Sequence, residues 1–182
     1  NDANIRTIAQ ALVSLGYGNA FVRLGWEHDG DWFWWRATDA NTADWVKGFR
    51  RVYEIFKAVS SAFRLVWNPN KSSSGGYDTR KSYPGDDRCD VIGVDWYNMY
   101  PPAHTKTQWD AQYMQKSGNG SPIGLGAWKE FAVLHGKPLA LPEWGQDWGD
   151  GNKTTHSGDD PVYIQQVHEF CRTTDVEYES YF

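Results

Sequence analysis

The chain has 182 residues, 18 Lys and Arg against 23 Asp and Glu, and a formal net charge of −5. That length makes a single domain with a sizeable core, and a mildly acidic chain without a Lys/Arg block argues against a nucleic-acid groove, which binds by neutralising phosphates. No apolar run approaches the roughly 20 residues of a membrane-spanning helix. The polar opening Asn1-Asp2-Ala3-Asn4 does not read as a signal peptide, as expected of a mature or truncated product.

Hydrophobic periodicity gives a regular alternation. Ile5, Ile8, Ala9, Leu12 and Val13 fall at helical spacing, and Phe21–Trp26 then reads as a buried strand. A helix over Asp44–Ser60 carries Trp45, Val46, Phe49, Val52, Tyr53, Phe56 and Val59 on one face, with Asn41 or Thr42 as N-cap. Phe63–Trp67 and Val91–Trp96 are the second and third strands. A helical stretch over Pro122–His135 leads to a fourth strand, Pro138–Pro142. Asp159 or Asp160 before Pro161 opens a last helix through Cys171, and Val176–Tyr181 is the final strand.

Strands that are continuous apolar runs and alternate with helices indicate a parallel sheet covered on both sides. The count is five, where a closed (β/α)8 barrel has eight strands and typically about 250 residues. Residues 1–182 are therefore either an open five-stranded sheet or a single barrel domain lacking its first three βα units. Lys71–Arg88 and Gly145–Asp159 are long polar loops that read as the rims of a cleft.

Functional residues of parallel α/β folds collect at the C-terminal strand ends. There the sequence places Trp26-Glu27-His28-Asp29, Trp67-Asn68-Pro69-Asn70, Asp95-Trp96-Tyr97-Asn98 and Glu143-Trp144. Glu27 and Glu143 each lie beside Trp, where limited water access raises a carboxyl pKa. Two carboxyls across a cleft are what glycoside hydrolysis requires. One protonates the leaving oxygen, and the other attacks the anomeric carbon or activates water, according to a separation of about 5 Å or about 6.5–9.5 Å.

Eleven Trp, ten Tyr and eight Phe make up 16% of the chain. Such a surplus fits either an aromatic-rich core or flat faces for sugar rings. Trp144 and Trp148 are candidates for stacking, and Asn68 and Asn70 for bonding sugar hydroxyls, although Asn-Pro-Asn is also ordinary turn chemistry. Arg23, within a strand, calls for a carboxylate partner such as Glu143. The five His show no ligand spacing, so no metal and no cofactor is assigned. Gly75-Gly76 lacks the strand-to-helix context of a phosphate loop, and no Gly-x-Ser-x-Gly elbow occurs. Cys89 and Cys171 are too few for a disulfide framework and are either one bridge or two thiols. Three sequons, Asn70-Lys71-Ser72, Asn119-Gly120-Ser121 and Asn152-Lys153-Thr154, add to an expectation of an extracellular protein.

Arg23-Leu24-Gly25-Trp26-Glu27-His28-Asp29-Gly30-Asp31-Trp32 resembles the acid/base segment of glycoside hydrolase family 26, the β-mannanase family, usually His-Glu-x-Asn-Gly-x-Trp. Tyr83–Asp87, Asp90–Tyr97 and Lys137–Gly145 are similar to later family segments in the correct order. The resemblance implies a retaining (β/α)8 glycosidase of which this chain carries strands four to eight, acting on a polysaccharide. It implies that Glu27 is the acid/base and Glu143 the nucleophile, that Tyr97 holds the nucleophile, and that Trp32 stacks on a sugar. Trp26 stands where the family has His, a residue that contacts substrate, and Asp95 lies in the same matched segment as Tyr97. Asp29 replaces an Asn, and its charge is expected to raise Glu27.

Overall fold

The computed structural model describes residues 1–149, 152 and 154–182. Among the described residues five α-helices and five strands follow in the order α1 (Asp2–Ser14), β1 (Phe21–Arg23), α2 (Thr42–Val59), β2 (Arg64–Trp67), β3 (Val91–Asn98), α3 (Lys106–Tyr113), α4 (Leu125–Leu134), β4 (Leu139–Gln146), α5 (Pro161–Thr173) and β5 (Val176–Tyr181). The sheet is parallel throughout in the order β1-β2-β3-β4-β5. Two expectations need correction. The first strand stops at Arg23 and is half-exposed rather than buried, because β1 is an edge of the sheet. Helix α3 was not anticipated: only Trp109 on it is buried, so it has no apolar stripe, and its start is marked locally by Thr105 Oγ1 accepting from Gln108 N.

The helices lie on one face. Leu65, Trp67, Ile92, Val94, Trp96, Leu139, Leu141 and Trp144 of the strands pack there with Phe49 and Phe56 of α2, Trp128 of α4 and Tyr163 of α5. The other face is not covered by helices. The sheet curls on itself, and Val66, Val91 and Ala140 meet Tyr178 inside the curl. Phe21 of β1 and Tyr178 of β5 come together with ring centroids 4.6 Å apart, and Arg64 of β2 pairs with Glu177 of β5. Gly93 is required at the centre: a Cβ there would lie 2.8 Å from Pro142 Cγ and 2.9 Å from Val66 Cγ1. The architecture is a half-barrel, five consecutive strands of a (β/α)8 layout with helices outside.

A bulge on β4 decides what faces the interior. β3 alternates regularly, but where it advances from Gly93 to Asp95, β4 advances from Ala140 to Glu143. One extra residue in a strand re-aims the side chains that follow it. Strict alternation from Ala140 would send Glu143 toward the helices; with the bulge, Glu143 faces inward beside Asp95.

The segment Lys71–Arg88 forms three short 3-10 turns rather than an open loop. β4 runs on to Gln146, so the second rim begins at Asp147; Asp150, Gly151 and Lys153, and with them part of one sequon, lie outside the described residues. Cys89 and Cys171 are both free thiols. No helix among the described residues is long and apolar enough to cross a membrane.

Candidate active site

Arg23, the last residue of β1, points into the curl and joins three strands. Its Nε donates to Asn68 Oδ1 at 2.6 Å, Nη1 to Glu143 Oε1 at 2.8 Å, and Nη2 to Asp95 Oδ2 at 2.6 Å. Glu143 Oε2 accepts from the Tyr97 hydroxyl at 2.9 Å, so each of its oxygens has a donor. Three of the four segments at the C-terminal strand ends are also tied through the backbone. Glu27 N donates to Asn68 O at 2.7 Å, Lys71 N to Asp95 O at 2.8 Å, and Asp95 N to Pro69 O at 3.1 Å.

Glu27 is not on the strand. The chain leaves β1 at Arg23, turns at Gly25 with φ 57°, and places Glu27 itself at φ 50°. A left-handed non-glycine residue costs about 1–3 kcal/mol and persists only where its surroundings fix it. Here the bond to Asn68 and the bond from Trp32 Nε1 to Glu27 Oε2 at 2.8 Å fix it. The Glu27 carboxyl is raised above its ordinary range, chiefly by burial. Trp32 pulls it down, the charge of Glu143 raises it and Arg23 lowers it. The carboxylate that raises Glu27 is thus Glu143; the repulsion between Glu27 and Asp29 raises Asp29 rather than Glu27 as expected. Asp29 is buried, accepts from Asn70 N and Thr79 Oγ1 at 2.8 Å each, and is itself pushed up to about 6 by burial.

Several residues expected at the sugar surface stand elsewhere. Trp144 follows Glu143 and points the other way: it is 2% exposed, packs on Tyr163 and Tyr181, and donates to Glu179. Asn68 and Asp95 have no exposed surface, and one side-chain oxygen of each meets Arg23 rather than the cleft. Trp26 is half-buried against Phe33 and Trp35 at 5.5 and 4.8 Å. Trp32 is 49% exposed beside Glu27, Tyr97 is half-buried beside Glu143, and Trp148 is 68% exposed on the rim. The aromatic surplus therefore divides. Trp67, Trp96, Trp109, Trp128 and Trp144 are core, while Trp32, Trp34 and Trp148 are at the surface. Arg23, read from the sequence only as a strand residue wanting a carboxylate, is the hub of the arrangement. Among the described residues there is no cluster of three or more His, Cys, Asp or Glu that could hold a metal ion.

Parallel strands with outer helices, two glutamates at the C-terminal strand ends and an arginine bridging to one of them define a (β/α)8-type carboxylate site. The sequence profile of glycosyl hydrolase family 26 matches residues 3–117, and the chain belongs to that family. The mannan endo-1,4-beta-mannosidase of Bifidobacterium adolescentis is 27% identical over 147 residues, 79% of this chain and 14% of that protein. Endoglucanase H of Acetivibrio thermocellus is 27% identical over 179 residues, 95% of this chain and 18% of that protein. The chain thus spans less than a fifth of the length of either. Among solved structures, GH26C from a Muricauda species superposes with a TM-score of 0.71 at 18% identity, covering 99% of this chain and 47% of that one. A modular endo-β-1,4-mannanase from Cellulomonas fimi gives 0.61 at 22% identity, covering 88% and 34%. These likenesses establish the fold.

Proposed function

We propose that this chain carries the catalytic carboxyl pair of an endo-acting β-glycanase that hydrolyses β-1,4-linked polysaccharide, β-mannan first, with retention. The observation that carries the reading is the asymmetry of the two glutamates. Glu27 is shielded and raised, which suits a general acid, whereas Glu143 is held by Arg23 and Tyr97 with both oxygens oriented. In the first step Glu27 protonates the departing glycosidic oxygen while Glu143 attacks the anomeric carbon. In the second, Glu27 takes a proton from the water that releases the glycosyl-enzyme ester. Trp32, exposed beside Glu27, and Trp148, exposed on the rim, offer faces for sugars, and Trp26 packs behind them on Phe33 and Trp35. Asn68 and Asp95 support this site from beneath.

The reading includes closure of the barrel by three further βα units, since β1 and β5 are unpaired edges among the described residues. It also includes action outside the cell, where polymeric substrates lie. β-Mannan and β-glucan are both to be tried, given that one relative is named a mannosidase and another an endoglucanase.

The test is reducing-sugar release from β-mannan, mixed-linkage β-glucan, xylan and bacterial exopolysaccharide, with wild type beside Glu143→Ala. The expected result is activity on one polymer, lost at least roughly a thousandfold in the variant. Polymer binding without hydrolysis, unchanged by Glu27→Ala, would make the chain a carbohydrate-binding protein instead.

A further inference from the structure

Arg23 has one positive charge and two carboxyl partners, Glu143 and Asp95. These are register partners on adjacent strands, but their surroundings differ. Glu143 reaches the cleft and has a second donor in Tyr97. Asp95 has no exposed surface, and its Oδ1 has no hydrogen-bond partner among the described residues. An ionised carboxylate with a bare buried oxygen is far more costly than a neutral acid with the same oxygen bare.

The groups facing Asp95 come from all around it: Arg23 from β1, Asn68 just past the end of β2, Glu143 from β4 and Tyr178 from β5, with Glu27 beyond the end of β1 and Tyr97 on its own strand. Arg23 is the one cation in that set. Burial pushes the Asp95 carboxyl up to about 8, Arg23 pulls against it, the negative charge of Glu143 adds to the rise, and the Asn68 side chain opposes it more weakly.

We propose that Asp95 is a positioning residue held as the uncharged acid, which leaves the single guanidinium charge of Arg23 to Glu143. The inference rests on the reading of Glu143 as nucleophile and deepens it. Asp95 touches no substrate, yet it governs the charge that reaches the attacking group. Through Oδ2 it fixes the angle of the guanidinium without competing for it. An ionised Asp95 would divide that charge between two carboxylates.

The experiment measures folding equilibria by urea denaturation for wild type and Asp95→Asn across the acid-to-neutral range. Asparagine keeps the shape and an acceptor for Nη2. In the unfolded chain Asp95 ionises near its ordinary 3.8, so between there and about 8 the native state holds one proton more. A pKa raised on folding stabilises most at low pH, and that contribution disappears as pH rises through the native value. The wild-type folding constant, divided by that of the variant, should therefore fall by up to about tenfold per pH unit across this window. A ratio that is flat or rises with pH would overturn the proposal. Should the variant not fold, carboxyl-carbon NMR of wild type decides. An acid resonance for Asp95 that persists while exposed carboxyls titrate supports the inference, and one that titrates with them overturns it. Neither measurement uses activity, so a chain inactive on every polymer would remove the catalytic reading, while the charge state of Asp95 is decided separately.

Discussion

Tyr97 gives Glu143 one of its two donors, through a single hydroxyl. Removing a hydrogen bond to a charged group costs about 1.5–3 kcal/mol. Tyr97→Phe should therefore lower kcat roughly 10- to 100-fold while Tm stays near wild type, as steady-state kinetics and thermal unfolding would show. Trp32 acts on the other glutamate. Its indole N–H lowers the Glu27 pKa, which burial has raised. Trp32→Phe removes that donor and keeps an aromatic face, so Glu27 stays protonated to higher pH. The alkaline limb of the kcat/KM profile should move up; movement downward would contradict the assignment of Glu27 as the acid. Whereas Tyr97 and Trp32 were marked only by the family resemblance, the two glutamates were legible in the sequence because their chemistry is conspicuous: paired carboxyls beside tryptophans after apolar runs. Trp144 misled for the same reason. Its neighbour is a glutamate of the site, and nothing in the chain announces that the two point apart.

The reason lies in the strand. Pro138–Pro142 reads as an apolar run, and a run carries no marker of its faces, so the bulge beyond Ala140 was invisible. Helix starts were easier, since capping is local. Asp160 accepts from Val162 N at 3.1 Å and Tyr163 N at 3.2 Å, as the Asp-Pro signal predicts. What the sequence hides is that the same carboxylate also meets Asn98 and His104. Asp160→Ala should cost at least about 1–2 kcal/mol from the cap alone, a fall of some 2–4 °C in Tm per kcal/mol for a chain of this size. A loss no larger than that of an exposed cap would mean that the Asn98 and His104 links contribute nothing. Helix α3 marks the opposite limit: with one buried residue, its position is set by tertiary contacts that periodicity does not see.

At the scale of the molecule, strand count and alternation left an open sheet and a partial barrel as alternatives; the family resemblance pointed to the partial barrel, and the fold agrees. The closure of the curl beneath the site was not legible, because it joins residues from opposite ends of the chain. Phe21 and Tyr178 touch there, yet the Tyr178 hydroxyl is buried without a partner. A polar atom so placed contributes desolvation cost and no bond. Tyr178→Phe should accordingly leave stability unchanged or raise it slightly in urea denaturation; a marked loss would mean the hydroxyl is satisfied in solution. The same packing of Phe21, Tyr178, Val66, Val91 and Ala140 gives the cleft a floor. On the proposed reading, substrate and water then reach Glu27 and Glu143 from the C-terminal ends of the strands and not from beneath, so the water that releases the ester arrives on the side the first fragment has vacated.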